Sequence, residues 1–520
     1  MPIPVIDIFA GPGGLGEGFS ALLNRNGERV FEIALSVEKE AQAHKTLTLR
    51  SFFRQFSVGQ VPAEYYQFVR GEIKLYELEE KYPVEFENAR KEAWCATLGE
   101  SKGAVSNKEV DKRIGEALGG VSDWLLIGGP PCQAYSVVGR SRRQEKILNA
   151  QTDERVGLYK QYLRILAIHN PSVFVMENVK GLLSAKTAES PVLSRILADL
   201  SNPAEAYKTD FGNDRVITCP GYRVYSLTVK PSGFDLERNP ILQQKDFLIY
   251  AEKFGVPQTR HRVILLGVRR DIDIVPEILT AQAEVPISRV LEGLPKLRSG
   301  LSKEENSGEH WRNVINGIKS RALLTGVSGD VKAEIAKQLE GIALPQKGTG
   351  AEYIPYDSRI DYEHAWFSDE NLGGVCNHAS RGHMSSDLHR YFFASCFAKT
   401  KKRSPKLVDF PAALLPEHEN VDEGIEEQKF ADRFRVQLHN KPAKTITSHI
   451  SKDGHYYIHP DPKQCRSFTV REAARIQTFP DNYFFCGPRT SQFTQVGNAV
   501  PPLLANKISK IVSRIFNPDE

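Results

Sequence analysis

The stretch Ile3-Pro4-Val5-Ile6-Asp7-Ile8-Phe9-Ala10-Gly11-Pro12-Gly13-Gly14-Leu15-Gly16 decides the fold. Ile3 to Ile8 is a short apolar run that reads as a buried strand, a glycine loop follows at once, and Glu17 to Leu23 has helical character. Strand, glycine loop and helix in that order open a doubly wound nucleotide-binding domain. The glycines let the backbone approach a ligand closely, and amides at the helix start offer hydrogen-bond donors. A second strand, Phe31 to Val37, runs into Glu38, an acid placed to accept hydrogen bonds from a ribose diol. Asp7, just inside the first strand end, is expected to organise the loop rather than touch substrate. The spacing Gly11-x-Gly13-x-x-Gly16 also satisfies the dinucleotide fingerprint, so the loop by itself leaves a nicotinamide enzyme open.

Further along, the apolar run Trp124 to Ile127 reads as another buried strand, and Gly129-Pro130-Pro131-Cys132-Gln133 follows it. A cysteine in a Gly/Pro-stiffened turn beyond a strand end sits where open α/β sheets place their ligands. That makes Cys132 a candidate nucleophile rather than a core thiol. The strand Val173 to Met176 delivers Glu177-Asn178-Val179, and Phe254 to Arg262 precedes the strand Val263 to Val268. Arg260 and Arg262 alternate with His261, so both point to one face of a strand. Near the C-terminus stand Arg471-Glu472-Ala473-Ala474-Arg475-Ile476-Gln477-Thr478-Phe479-Pro480 and Gln495-Val496-Gly497-Asn498-Ala499-Val500-Pro501-Pro502.

The bulk properties set bounds. At 520 residues, 41% hydrophobic and 25% charged, the chain has ordinary globular composition and room for two to three domains. A net charge of only +4 means that nucleic-acid affinity must come from local basic patches. The seven cysteines are scattered, with no CxxC pair, which argues against a disulfide framework and a zinc site and for a reducing, cytoplasmic compartment. The first ten residues lack the basic start and long apolar core of a signal peptide, and no apolar run approaches the ~20 residues that span a bilayer.

Taken in order, these segments resemble the C5-cytosine DNA methyltransferase family: the FAGxGG loop, the PPCQxxS turn, the ENV strand end, the QxRxR strand, the REAARxQxFP helix and the GNAVPP close. The resemblance runs from residue 3 to 502 and displaces the dehydrogenase reading. It implies an α/β, Rossmann-like S-adenosylmethionine-dependent domain with a smaller target-recognition domain. Residues 1–275 plus 498–520 would form the first, with an insertion over about 45–120, and 276–497 the second. Cytosine C5 is a poor nucleophile; a thiolate added at C6 makes the ring an enamine that attacks an electrophilic methyl group. The resemblance makes Cys132 that nucleophile and groups Glu177, Asn178, Arg260 and Arg262 with it. Glu177 would supply a proton to N3 of the base. The cofactor residues implied are Phe9, Ala10, Gly11, Gly13, Gly14, Glu38, Asn498 and Ala499, with S-adenosylhomocysteine as product and no metal.

The base must leave the duplex for its C6 to be reached. The substrate-binding residues implied are Pro131 and Gln133 of the turn and Ser136, Arg140, Arg142 and Arg143 of the loop from Ala134 to Gly157, which is expected to close over the base. The partner implied is double-stranded DNA, with a cognate restriction endonuclease or defence-system proteins behind it, no membrane, and a nucleoid-associated location. The early glycine loop leaves no room for an N-terminal regulatory domain, as in bacterial or phage modification enzymes. The tRNA-methylating branch of the family and a catalytically inactive DNA-binding protein are the alternatives.

The family usually has an Asp after its third strand that meets the adenine amine; here Asp111 and Asp123 are the candidates, neither in a clear context. In the insertion, Tyr65 to Cys95 has helical character, and Thr48 to Phe56 reads either as a packing helix or as a DNA contact. Residues 276–430 lack strong periodicity. Within them the basic run Lys399 to Lys406 suits either phosphate contacts or a solvated surface. Asn377, His378, Arg381, His383 and Arg390 either read bases or order a loop.

Overall fold

The computed structural model describes residues 1–99, 101–130, 154–185, 191–211, 217–416 and 432–518. The strands are, in chain order, β1 (Ile3–Ile8), β2 (Phe31–Glu38), β3 (Ala93–Cys95), β4 (Leu125–Gly128), β5 (Val173–Val179), β6 (Tyr222–Tyr225), β7 (Leu248–Tyr250), β8 (Gln258–Thr259) and β9 (His261–Arg269). All but β8 form one sheet, in the order β3-β2-β1-β4-β5-β9-β6, with β7 also paired to β9. The β3 to β5 half is parallel, whereas β9 runs antiparallel to β5, β6 and β7. The α/β class expected from the opening stretch is what the chain adopts.

The central strands are continuous apolar runs because helices cover both faces of the sheet. One face packs against helices Asn107–Leu118, Glu154–His169 and Val192–Ser201; the other packs against Gly14–Ser20 and Pro502–Phe516. The first helix starts at Gly14, three residues earlier than its sequence suggests, because Gly13 caps it with a left-handed φ of 92°. Gly18 of this helix lies against the helix Pro502–Phe516. A Cβ there would stand 2.4 Å from the Ala505 Cβ, and Asn506 Nδ2 donates to the Gly18 carbonyl at 3.0 Å. The far end of the chain thus returns to its beginning.

Among the described residues, none between 276 and 497 adds a strand to the central sheet. The short strands here are β10 (Gly300–Leu301), β11 (Gly350–Pro355), β12 (Gly374–Ala379), β13 (Gly382–His383) and β14 (Ala443–Lys444). β10 pairs with β13, β11 with β12, and β14 with β8. The helix Ser385–Lys401 arises where no clear period was visible. Leu388, Tyr391, Phe392, Phe393, Ala394 and Cys396 are all buried, and a helix covered on most sides shows no single apolar stripe.

The insertion folds as helices Ala41–Arg54, Ala63–Arg70, Leu75–Lys81 and Pro83–Glu92. Phe52 stacks on Phe86 with ring centroids 4.1 Å apart, so Thr48 to Phe56 belongs to packing. The same cluster takes in Leu372 and Cys376, which ties the insertion to the β11–β12 hairpin.

Candidate active site

The C-terminal ends of β1, β2, β4 and β5 open onto a cavity of about 840 Å³, within the range of small-molecule sites. Its wall contains Phe9, Ala10, Gly11, Gly14, Glu38, Glu177, Asn178, Arg260, Arg262, Asn498 and Ala499, together with Gly129 and Pro130. Eleven of the thirteen catalytic and cofactor residues expected from the sequence therefore meet in one place. Gly13 lies behind the wall, where a Cβ would touch Leu47 and the Tyr483 hydroxyl. Cys132 lies outside the described residues, as do Pro131, Gln133, Ser136, Arg140, Arg142 and Arg143.

At the glycine-loop end, Gly11 has a left-handed φ of 59°, and a Cβ on it would meet nothing within 4 Å. Glu38 accepts from the Gly11 and Glu40 amides, both at 2.7 Å. Burial pushes its carboxyl upward against these donors. Asp7 is buried in the cavity floor. Burial pushes it up to about 8, and neither oxygen has a hydrogen-bond partner with good geometry. The Gly16 backbone leans over it, with a virtual Cβ 3.1 Å from Oδ2. Open space beside Gly11, backbone amides and buried acceptors suit a cofactor with a sugar diol and a cationic amino-acid tail. S-adenosylmethionine has that form.

At the other end, β5 and β9 lie side by side with Val179 opposite Arg262. This brings Arg262 Nε to 2.7 Å from Glu177 Oε1, in a largely buried ion pair. Asn178 Nδ2 donates to the Pro130 carbonyl at 3.2 Å, which ties the ENV strand end to the turn that leads into Cys132. A Cβ at Gly129 would stand 3.0 Å from Glu177 Oε2, so any larger residue in the turn would have to push that carboxylate aside. Arg260 is 2% exposed. It donates to the Ile446 carbonyl at 2.8 Å and to the Gly497 carbonyl at 3.3 Å. Burial and then Arg262 push it down to about 9, still charged at neutral pH. The two arginines share the cavity, but Arg262 serves the carboxylate while Arg260 ties two distant segments together.

Sequence reasoning passed over Gln258, Gln477 and Tyr483. The Gln258 amide accepts from Ile446 N at 2.6 Å and donates to Gln477 Oε1 at 2.6 Å, and Gln477 donates to the Ala499 carbonyl. Tyr483 donates to the Pro12 carbonyl of the glycine loop. Their partners are remote in sequence, so no local spacing signals them; the hints were that Gln258 opens the QxRxR segment and Gln477 is the Gln of the REAARxQxFP helix.

The two candidates for an adenine-side Asp are both misplaced. Asp111 pairs with Arg164 and His169 at 2.7 Å, and Asp123 accepts from Ser172 at the opposite end of β4. Ala96, Thr97, Leu98 and Ser101 form the cavity edge beyond β3 instead. In the basic run, Lys399, Lys401 and Arg403 pair with Glu334, Asp330 and Asp409, which leaves less charge for phosphates. Asn377, His378 and His383 are buried, and Arg390 pairs with Asp387, so these four order the fold. Arg381 donates to the Ile450 carbonyl and lies over the Phe493 ring.

A glycine loop at the first strand end, facing a Glu–Arg pair and a Gly-Pro turn across one cavity of a mostly parallel sheet, suits an S-adenosylmethionine-dependent methyltransferase. The chain belongs to the C-5 cytosine-specific DNA methylase family, whose model matches residues 78–209 and 245–514. It is 32% identical to the type II methyltransferase M.Bpa9945I of Bacillus paralicheniformis, over 99% of both chains. It is 26% identical to the type II methyltransferase M.DdeI of Desulfomicrobium norvegicum, over 98% of this chain and 89% of that one. It is 24% identical to the DNA (cytosine-5-)-methyltransferase M.ApeKI of Aeropyrum pernix, over 80% and 86%. The protein is thus a DNA-methylating enzyme. Among the described residues no helix is long and apolar enough to cross a membrane, and no cluster of metal-ligating side chains is found.

Proposed function

We propose that this enzyme methylates cytosine C5 within one short sequence of double-stranded DNA, as the modification partner of a restriction endonuclease. The carrying observation is the Glu177–Arg262 pair beside the Gly129–Pro130 turn, on the same cavity as the glycine loop. The relatives' names as type II methyltransferases support the pairing with a nuclease. Residues 276–497 are the part that reads the sequence, facing the sheet domain across the DNA.

S-adenosylmethionine supplies an electrophilic methyl group when bound. Glu38 takes the ribose, Phe9 the adenine, and the loop amides with Asn498 and Ala499 the amino-acid end. Cys132 acts as thiolate on C6 of the flipped base, and the Arg262 charge near the turn favours the anion. Glu177, in its protonated form, gives a proton to N3 as the thiolate adds, which leaves C5 electron-rich, and takes that proton back as the thiolate departs. Arg262 orients that carboxyl through the 2.7 Å contact. Once C5 carries the methyl group, loss of the C5 proton allows the thiolate to depart. Asn178 holds the turn against β5 throughout.

Bisulfite sequencing of DNA from cells that express the chain, beside cells that express Cys132→Ser, tests this. Methylcytosine at one recurring short sequence, absent with the variant, is the expected result. Label transferred to tRNA instead of duplex DNA would overturn the substrate.

A further inference from the structure

The cofactor loop is held from outside the sheet. Tyr483 is fully buried and follows the Phe479-Pro480 end of the REAAR helix segment, yet its hydroxyl donates to the Pro12 carbonyl. Pro12 and Gly14 both line the cavity, and Gly13 between them leans on the Tyr483 hydroxyl, with a virtual Cβ 3.1 Å away. The ring is fixed independently of that bond. The Phe479 ring centroid is 4.8 Å away, and the Arg50 guanidinium lies 4.9 Å from the ring centroid. Arg50 is bound in turn to Glu17 of the first helix at 2.5 Å and to Asn482 at 3.1 Å. Burial holds the Tyr483 phenol far above the usual tyrosine range, so it remains a donor at every working pH.

We propose that Tyr483 is a positioning residue for cofactor binding, setting the Pro12–Gly14 turn at the height the cofactor's amino-acid end requires. The inference rests on the cofactor reading of the cavity. It gives the segment after the REAAR helix a task inside the sheet domain. The Pro12 carbonyl cannot swing outward while the hydroxyl holds it, so the loop amides keep one direction. Without the bond the loop has a second resting position, and binding must select the first.

Tyr483→Phe removes one oxygen and leaves the ring contacts. Titration calorimetry with S-adenosylhomocysteine is the direct test, beside steady-state methylation with varied cofactor. The expected result is a Kd and a cofactor KM raised about three- to tenfold, the range of one net hydrogen bond. The kcat at saturating cofactor should stay within about twofold, because the loop is then pinned by the ligand. Tyr362→Phe is the control. It removes another hydroxyl-to-carbonyl bond, a part-buried one to Gly255 away from the cavity, and should leave the Kd unchanged. Equal affinities for Tyr483→Phe and the unaltered protein overturn this inference alone. So does an equal weakening by Tyr362→Phe, or a loss of kcat and thermal midpoint as large as the loss of affinity. Failure of the unaltered protein to bind S-adenosylhomocysteine overturns the cofactor reading, and this inference with it.

Discussion

Gly14→Ala sets two calculable effects against each other. Gly14 is the first residue of the first helix, and its φ is not in the left-handed region. Alanine is the better helix former by about 0.8–1 kcal/mol in a helix interior, and by less at the first position. Opposing this, a Cβ would stand 2.4 Å from the Val500 carbonyl oxygen, 3.2 Å from Val500 N and 3.2 Å from the Ala499 Cβ. The Val500 backbone must retreat about 0.6 Å merely to reach 3.0 Å, and it is anchored by the helix that starts two residues later. Overpacking of this kind costs about 1–3 kcal/mol, so the clash outweighs the propensity. The variant should be less stable by about 1–2 kcal/mol. Gly14, Ala499 and Val500 all line the cavity, so the Kd for S-adenosylhomocysteine should rise by at least about tenfold, the equivalent of 1.4 kcal/mol. Thermal unfolding followed by calorimetric titration gives both numbers. A variant that is more stable than the parent, or that binds cofactor unchanged, would refute the claim that the Gly14–Val500 contact fixes the pocket.

Glu177→Gln keeps the side-chain shape but removes the carboxyl that pairs with Arg262 and can carry a proton to N3; methylation should fall about 10²–10⁴-fold with DNA binding retained, read by label transfer and gel shift. Glu38→Gln keeps one acceptor for the Gly11 or Glu40 amide yet weakens the diol contact, so cofactor KM should rise more than kcat falls. The pH dependence of stability follows from buried histidines. His378 and His459 are pushed down to about 4, chiefly by burial, with Arg466 opposing and Glu472 favouring their protonation. The unfolded chain binds protons at these sites near 6.5, before the folded one does. Stability is therefore full above about 6.5 and is lost as pH falls from there toward 4. Urea midpoints at pH 7 and 5 should show a clear drop, reduced in His378→Gln; equal midpoints would contradict the assignment.

The parts of the site that could be read in advance are those whose function needs a particular residue at a strand end. Glu38 and Glu177 follow apolar runs, and the strands carry them to the C-terminal edge of the sheet, where they line the cavity. The glycine loop was legible because positive φ and close approach leave few other residues possible. Arg260 shows where such reading stops. Alternation with Arg262 gave it the right strand, but its partners, Ile446 and Gly497, are more than 180 residues away. Asp111 and Asp123 were attractive as acids of suitable number, yet ion pairs with Arg164 and Arg269 draw them to other parts of the sheet domain. The helix Ser385–Lys401 went unseen because burial on most sides erases the amphipathic signal.

The closure of the last helix on the first also sets a timetable for synthesis. Asn506 and Gly18 are 488 residues apart in the chain and in contact in the fold. At ribosomal rates of about 5–20 residues per second, on the order of 25–100 s separate the emergence of the glycine loop from that of the segment that walls it in. Throughout that interval the first helix has no partner for its glycine face, and the nascent chain holds an open half-pocket. Methylating capacity therefore arrives late, and a ribosome that stops short releases a chain whose sheet lacks the last helix's cover on one face.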